Sequence, residues 1–379
     1  MKNKYILSFV ITLSSILFTG CDNAEYKVVD NSIYLSDAAG AMKATTLTMD
    51  NGVNINVNIR LAKKVDKDVE VEIKLNPALL EPYNKANSSE YYPVPGLQLS
   101  AGAKVTIPAG ETGAVYTIRV NDFDTGGKQY ALGVELGNVI TGGIEKSASL
   151  SQFIYLLSKP LNVSVPVLNG RTGMITTAPE TNWGITTGQW SLECWARMSA
   201  YSINNQAIFN TGSGDHEIYI RFGDANRPYN YLQIKTLGGQ VQTQSDLTAN
   251  KWYHWAFVYD GTTLQIYRDG QADVKFDPPA PAGGAVRFDY LQMISSGSYF
   301  RDQCAMSQVR LWKTAISQTQ IQNNMYFSVN PANPDLIGYW PMDEGEGNTF
   351  RDITGNGHDA TAGATVVQRW EHNIRFDQQ

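Results

Sequence analysis

Three short segments combine ring side chains with charged and amide groups, the mixture that a sugar-binding site needs. Sugars stack their CH faces on exposed aromatic rings, while polar neighbours in loops bond the hydroxyl groups. GDANRPYNY, SSGSYFRDQ and PETNWGITTG, which begin at residues 223, 295 and 179, supply both kinds of group. The residues selected as carbohydrate contacts are Asp224, Arg227, Tyr229 and Tyr231 in the first segment, Tyr299, Arg301 and Asp302 in the second, and Trp183 in the third.

Each of these aromatic rings could instead fold back onto the protein core, where Tyr and Trp are often buried. Tyr229 and Tyr299 are the strongest candidates for contact with a ligand.

The segment DITGNGHD suggests a different chemistry, the binding of calcium. Asp352, Asn356 and Asp359 carry the hard oxygen atoms that Ca²⁺ prefers, with glycines at the bends. The alternating-Asp pattern of a calcium loop is incomplete, however, and the same side chains could bond their own backbone in a tight turn. A calcium site and a plain turn both stay open, and calcium is the one cofactor that the sequence suggests.

The sequence lacks the common catalytic motifs. It contains no Gly-x-Ser-x-Gly elbow, no phosphate-binding loop and no His-Glu-x-x-His motif. Glycoside hydrolases use two carboxyl groups a few ångströms apart. Glu344 and Glu346 form the nearest pair but lie in a glycine-rich stretch, and Glu193 has no second carboxylate two residues away. We therefore expect a non-catalytic protein.

The elements that must position these loops are β-strands. In KWYHWAFVYDGTTLQIYRDG, residues 251–270, aromatic and aliphatic side chains alternate onto both sides of the chain. Apolar residues on both sides predict a strand covered on both faces, so this stretch is core and not a sugar platform. Farther along, Ser317 and Gln320 predict a capping box at the start of a short helix.

The first half of the chain is also predicted to consist of short strands. NGVNINVNIRLA and DVEVEIKL alternate apolar with polar residues, which is typical of half-buried strands. Turn residues at short intervals favour a small antiparallel, Ig-like sandwich over residues 26–157, with no helix of useful length. Pro160 and Pro166 mark the expected boundary with the second half.

The charge balance argues against nucleic acid as a partner. The chain of 379 residues has a formal net charge of −6, and removal of Lys2 and Lys4 with a leader would leave −8. Nucleic-acid binding usually requires a basic surface, and no basic stripe with interleaved aromatic residues is present.

Residues 1–20 are predicted to be a targeting segment. A short basic start is followed by an apolar stretch too short to span a membrane as a helix. LFTGC resembles a lipobox, which implies lipidation of Cys21 after cleavage; an ordinary signal peptide with an incidental cysteine is the alternative. With Asp22 and Glu25 next to it, this start resembles that of surface lipoproteins of glycan-foraging Gram-negative bacteria, which implies a lipid anchor in the outer membrane, facing the cell exterior.

The remaining cysteines, Cys194 and Cys304, lie in different predicted strands. An exported protein could join them in a disulfide. We expect two buried free thiols, since cysteine is often a small core residue.

Residues 21–158 resemble the domain of unknown function 1735 of lipoproteins from polysaccharide-utilisation loci. The resemblance is carried by YNKANSSEYYPVPGLQLS, VTIPAGET and YALGVEL. It implies an Ig-like spacer that precedes a glycan-active module.

Residues 159–379 resemble the laminin-G-like, concanavalin-type jellyroll. The motifs are the Trp-x-His strand with its two Asp-Gly turns, MSQVRLWKTAISQTQIQNNM, and LIGYWPMDEGEGNTFRDITGNGHDATA, in the order of that family. The expected fold is thus all-β, an Ig-like sandwich followed by a jellyroll sandwich.

These resemblances imply a surface lipoprotein that captures a complex glycan, for instance a host N-glycan, without cleaving it. An outer-membrane transporter and glycoside hydrolases of the same locus would be its partners. Two alternatives remain: a glycoside hydrolase on the concanavalin-like fold, and an adhesion or scaffold lipoprotein that binds another protein.

Overall fold

The structure is a computed structural model. It describes residues 31–39, 44–87, 89–141, 143–212, 217–279 and 285–379. The predicted leader, residues 1–20, and the predicted lipidation site, Cys21, lie outside the described residues. Within the described ranges, none of the helices has the length and apolar character needed to cross a membrane.

The described part of the first half contains ten strands and one α-helix. In chain order they are β1 Ser32–Leu35, β2 Ala44–Thr48, β3 Val53–Leu61, β4 Val69–Leu75, α1 Leu80–Asn87, β5 Tyr91–Pro93, β6 Lys104–Ile107, β7 Gly113–Val120, β8 Gln129–Val139, β9 Glu145–Lys146 and β10 Gln152–Ser158.

These strands form two sheets that pack face to face, with the orders β7-β3-β1-β9 and β2-β10-β8-β4-β6. The alternation in β3 turns Ile55, Val57 and Ile59 into the core between the sheets, as predicted. The sandwich is mixed and not purely antiparallel, because β1 pairs with β9, β2 with β10 and β5 with β8 in parallel. Helix α1 was not predicted.

In the second half, the residues that the structure describes form eighteen strands and one α-helix. They are β11 Asn162–Leu168, β12 Ile175–Thr177, β13 Ile185–Thr187, β14 Trp190–Met198, β15 Gln206–Thr211, β16 Ile218–Phe222, β17 Leu232–Thr236, β18 Gly239–Gln242, β19 Tyr253–Tyr259, β20 Leu264–Arg268, β21 Gln271–Phe276, β22 Val286–Phe288, β23 Gln292–Met293, β24 Cys304–Trp312, α2 Gln318–Asn324, β25 Leu336–Trp340, β26 Thr349–Phe350, β27 Ala360–Ala362 and β28 Val367–Arg375.

Two eight-stranded sheets make the second sandwich. We call them the inner sheet, β21-β20-β19-β14-β24-β11-β28 with β25 beside β24, and the outer sheet, β18-β17-β16-β15-β23-β12-β27-β26. Their facing sides enclose one large apolar core. Cys194 and Cys304 are buried there as free thiols, as expected, and burial raises the pKa of Cys304 to about 12.

The inner sheet is covered on its far side as well. All seven residues of β19 are buried, because their side chains alternate between the central core and the far face, where Ala256 and Val258 join a smaller apolar cluster and His254 lies against Trp195. Helix α2 and its flanking loops provide part of this cover. The capping box of Ser317 and Gln320 is formed as predicted. The prediction that the aromatic stretch is core is thus confirmed.

A charged group is sealed beneath that cover. Arg310 is fully buried; its guanidinium lies 3.4 Å from Glu193 and donates to the carbonyl oxygens of Asn324, at 3.3 Å, and Phe327, at 2.6 Å. His254 Nε2 is 3.5 Å from Glu193, and burial, together with the charge of Arg310, lowers the pKa of His254 to about 3. Arg310 therefore joins the inner sheet to the segment that follows α2.

We predict that Arg310→Met destabilises the second sandwich by about 3–5 kcal/mol, because it leaves the carboxylate of Glu193 buried without its cation. The double variant Glu193→Gln/Arg310→Met should recover part of this loss. Urea unfolding followed by tryptophan fluorescence measures the effect in this half alone, since all eight tryptophans follow residue 182. Equal destabilisation in the single and double variants would contradict the assignment of the loss to an unpaired charge.

Candidate functional site

The strand directions of the outer sheet bring three loops together. Strand β15 runs antiparallel to both β16 and β23. The loop that enters β15, the loop that leaves β16 and the loop that leaves β23 therefore meet at one end of the sandwich, which we call the loop end. These loops span residues 199–205, 223–231 and 294–303, so two of the three predicted segments are neighbours.

The loop at 199–205 joins the other two. Asn205 donates its backbone N–H to the carbonyl of Gly223 at 2.8 Å. On the other side, Ser202 and Gln206 donate to the carboxylate of Asp302 at 2.7 to 2.8 Å. Both predicted segments are thus held in place by one short connection.

Arg227 and Tyr229 form the exposed part of the first segment. The guanidinium of Arg227 lies 5.0 Å from the centre of the Tyr229 ring. The Tyr229 side chain packs on Gly223, where an added Cβ would stand 2.7 Å from that of Tyr229. Tyr229 is half-buried and keeps a surface that a ligand can reach.

Tyr231 does not contact a ligand, and its prediction is wrong. Its ring is 2% exposed, and its hydroxyl accepts the backbone N–H of Asp224 at 2.8 Å. Tyr231 directly precedes β17, and its ring is buried in the sandwich. The sequence pattern could not distinguish this inward tyrosine from its outward neighbour at 229.

Asp224 belongs to a polar network that sequence reasoning missed. Its carboxylate lies 2.7 Å from Arg221 and accepts from Gln233 at 3.0 Å. Arg221 also donates to Asn205 at 2.9 Å and lies 5.5 Å from the ring of Tyr219. A weak signal was available in IYIRF and LQIKT, whose polar members alternate outward from the sheet.

The network continues as a polar row along the exposed face of the outer sheet. Paired registers align these side chains from strand to strand. Amides, hydroxyls, one phenol and one ammonium group thus line this face of the sheet, where they can form hydrogen bonds. In order, the row comprises Gln240, Lys235, Tyr219, Asn210, Gln292, Thr176 and Thr361.

The second predicted segment combines an anchor with an exposed ring. Phe300 is fully buried, whereas its neighbour Tyr299 is 47% exposed. Asp302 serves to hold the loop, since both its carboxylate oxygens accept hydrogen bonds from within the protein. Arg301 is exposed next to them.

Trp183 lies away from the other selected residues. Strand β12 runs antiparallel to β23, so the loop after β12 emerges at the opposite end from the loop after β23. The Trp183 ring stacks on His358 at 3.9 Å and on the buried Trp340 at 6.4 Å. It is half-buried there and forms no common site with Tyr229 and Tyr299.

Family comparison identifies both halves of the chain. Residues 169–322 match the model of the concanavalin A-like lectin/glucanases superfamily, in its laminin-G type, and residues 29–140 match that of an N-terminal domain. The second half carries a laminin-G-like domain. The fold class and the recognition of both regions from sequence are thereby confirmed.

One solved structure has a similar fold over most of the chain. A proposed carbohydrate-binding protein of Bacteroides ovatus is similar with a TM-score of 0.66 and 19% identity, over 90% of this chain and 97% of the other. A pentraxin of Limulus polyphemus is similar with a TM-score of 0.37 and 11% identity, over 55% of this chain and 96% of the other. At such identities the first likeness shows the fold alone. No curated protein sequence matches the chain.

In the laminin-G-like domain, Asp352, Asn356 and Asp359 take part in the hydrogen bonds of one turn. Asp352 accepts hydrogen bonds from the backbone of Tyr339, Thr354 and His358 and from the Thr354 hydroxyl. Three of these donors bond Oδ1 and one bonds Oδ2, so the carboxylate supports the backbone of its own turn. Among the described residues, no group of three His, Cys, Asp or Glu side chains could hold a metal. The hydrogen bonds of Asp352 fit the turn interpretation, and calcium binding by this segment stays a prediction.

Two of the three carboxylates considered for catalysis, Glu193 and Glu344, are engaged elsewhere in this domain, whereas Glu346 is exposed. Glu193 is 1% exposed beneath the cover of the inner sheet, where no substrate reaches it. Glu344 accepts the backbone N–H of Arg351 at 2.9 Å and holds its own turn. Neither lies among the residues of the loop end.

We predict that Asp352→Ala lowers the free energy of unfolding of this domain by about 2–4 kcal/mol, because several buried donors lose their acceptor. Glu346→Ala, at an exposed position of a neighbouring loop, should change it little. Addition of about 5 mM CaCl₂, above the dissociation constants of extracellular calcium modules, should leave the melting temperature unchanged. A rise in melting temperature that Asp352→Ala abolishes would support the calcium interpretation.

Proposed function

We propose that the protein binds a glycan at the loop end of its laminin-G-like domain and does not cleave it. The observation that carries this proposal is the meeting of exposed ring surfaces, at Tyr229 and Tyr299, with the polar network of Arg221, Asp224 and Gln233. Ring faces suit the CH groups of a sugar, and the charged and amide groups suit its hydroxyls.

The fixed geometry of the loops supports binding. Asn205 and Asp302 tie the three loops to one another through hydrogen bonds. The buried Phe300 anchors the loop that carries Tyr299. Loops that are ordered before a ligand arrives lose little conformational entropy on binding, which favours affinity.

Binding without cleavage is supported by the position of the carboxylates. Glycoside hydrolysis needs two carboxyl groups on either side of the bond that breaks. At the loop end, Asp224 is paired with Arg221 and Asp302 is bonded by Ser202 and Gln206. Both side chains support the site and are not available as an acid and a base.

The proposed setting is the outer membrane, with the protein attached by a lipid on Cys21 and facing outward. The first half would then act as a spacer between the anchor and the laminin-G-like domain. In this setting the protein would capture a complex glycan, such as an N-glycan of a host glycoprotein, and present it to a transporter and to glycoside hydrolases. Many anchored copies would strengthen weak single contacts through avidity.

We predict that Tyr229→Ala and Tyr299→Ala each weaken glycan binding by about 3- to 10-fold, because each removes one stacking surface. The measurement is the half-saturation concentration on a glycan array for the soluble chain that starts at Asp22. Melting temperatures should stay within about 2 °C of wild type, since both rings are partly exposed.

The matched control is Ile140→Ala, at a side chain of the first half that is 46% exposed, nearly the same as Tyr299. It should bind as wild type does. If both tyrosine variants bind with unchanged strength while the wild type binds clearly, the loop end is not the glycan site.

A further inference from the structure

A groove between the two halves of the chain has the size of a ligand site. Its volume is about 650 Å³, and it is lined from the first half by residues around Tyr91 and Tyr130 and from the second half by the end of α2 and residues 327–328. Ligand pockets usually measure about 300–1,000 Å³. None of the residues selected above as carbohydrate contacts lines the groove.

The walls of the groove touch at its base. Gly127 lies against the backbone of Val329, so closely that an added Cβ would stand 2.2 Å from the Val329 carbonyl oxygen. Elsewhere between the halves, Arg375 forms an ion pair with Asp50 at 2.6 Å. These contacts hold the two walls beside each other.

Both walls present amide groups that have no partner in the described part of the chain. Gln129, at the start of β8, and Asn323, in α2, are exposed and line the groove. Each amide can donate two hydrogen bonds and accept two. Amides on both walls of a groove suit a ligand rich in hydroxyl groups.

Two tyrosine rings on the first wall are held in fixed positions. Tyr130 meets Phe123 edge-on at 5.0 Å, and Tyr91 meets Tyr83 edge-on at 6.1 Å. Such contacts stabilise a ring without covering all of its surface. The groove therefore combines ring surfaces with amides, as a saccharide site does.

The charged groups of the groove each have a partner within the protein. Lys159 is 2.8 Å from Asp122 and also donates to the Phe123 carbonyl at 2.7 Å. Glu90 accepts a hydrogen bond from Tyr92, over whose ring the ammonium group of Lys128 lies at 5.0 Å. The lining thus favours a neutral ligand over a phosphate or a strongly charged peptide.

The second wall is held rigidly by the buried cluster of the inner sheet. Arg310 donates to the carbonyl oxygens of Asn324 and Phe327, which both line the groove, and the capping box fixes the start of α2. A preorganised wall lowers the entropic cost of binding.

We propose that this groove is a second carbohydrate site, which binds a short neutral oligosaccharide between Gln129 and Asn323. It shares with the proposed function only the class of ligand, since its residues are separate from those of the loop end. Two separate sites on one chain would let a single copy hold a branched or long glycan at two points.

The test is an array of neutral oligosaccharides probed with four forms of the full chain. They are the wild type, the groove variant Gln129→Ala/Asn323→Ala, the matched control Thr319→Ala on an exposed position of α2, and the loop variant Tyr229→Ala/Tyr299→Ala. For at least one glycan that the loop variant still binds, the groove variant should show about tenfold weaker binding, because up to four hydrogen bonds are lost. The control should bind as wild type does.

The outcomes separate the two sites. If the groove variant binds every glycan as strongly as wild type, or if the wild type binds none, the groove proposal is overturned. If the loop variant loses all binding and the groove variant loses none, the loop end is the single site. Loss in the groove variant alone would support the groove and overturn the loop end.

Discussion

The buried guanidinium of Arg310 is the interaction on which the second half depends most. A charge in an apolar interior is tolerated only when it is paired and hydrogen-bonded. Arg310 meets this condition by bonding Glu193 in the next strand and the carbonyl oxygens of Asn324 and Phe327 in the covering segment. The same contacts close the far face of the inner sheet, so its aromatic strand β19 can be apolar on both sides.

The inner sheet is covered on both faces. The exposed face of this sandwich is therefore that of the outer sheet, where polar side chains on neighbouring strands lie in register. Strand direction then decides which loops meet. Because β15 is antiparallel to both of its neighbours, residues far apart in sequence, such as Arg227 and Tyr299, lie at the same end. The covering segment has a second role, since the end of α2 is also one wall of the groove between the halves.

Several features could be predicted from the sequence because they follow from local pattern. The alternation in β3 and β19, the capping box of Ser317 and the free buried cysteines belong to this group. The inward position of Tyr231 and the supporting role of Asp302 could not be predicted, since the side to which a loop residue points depends on partners distant in the chain. The network of Arg221 and Gln233 could not be predicted because its sequence pattern is that of an ordinary solvent-facing strand. The groove could not be predicted because it joins segments nearly two hundred residues apart.

The measurement that tests the central claim most directly is hydrogen–deuterium exchange of the soluble chain with and without its strongest array glycan. The account predicts slower exchange in residues 199–205, 223–231 and 294–303, because a bound sugar would shield and further order these loops. Strong binding with unchanged exchange in all three loops would contradict the loop end as the glycan site. So would a folded protein that binds no glycan on the array.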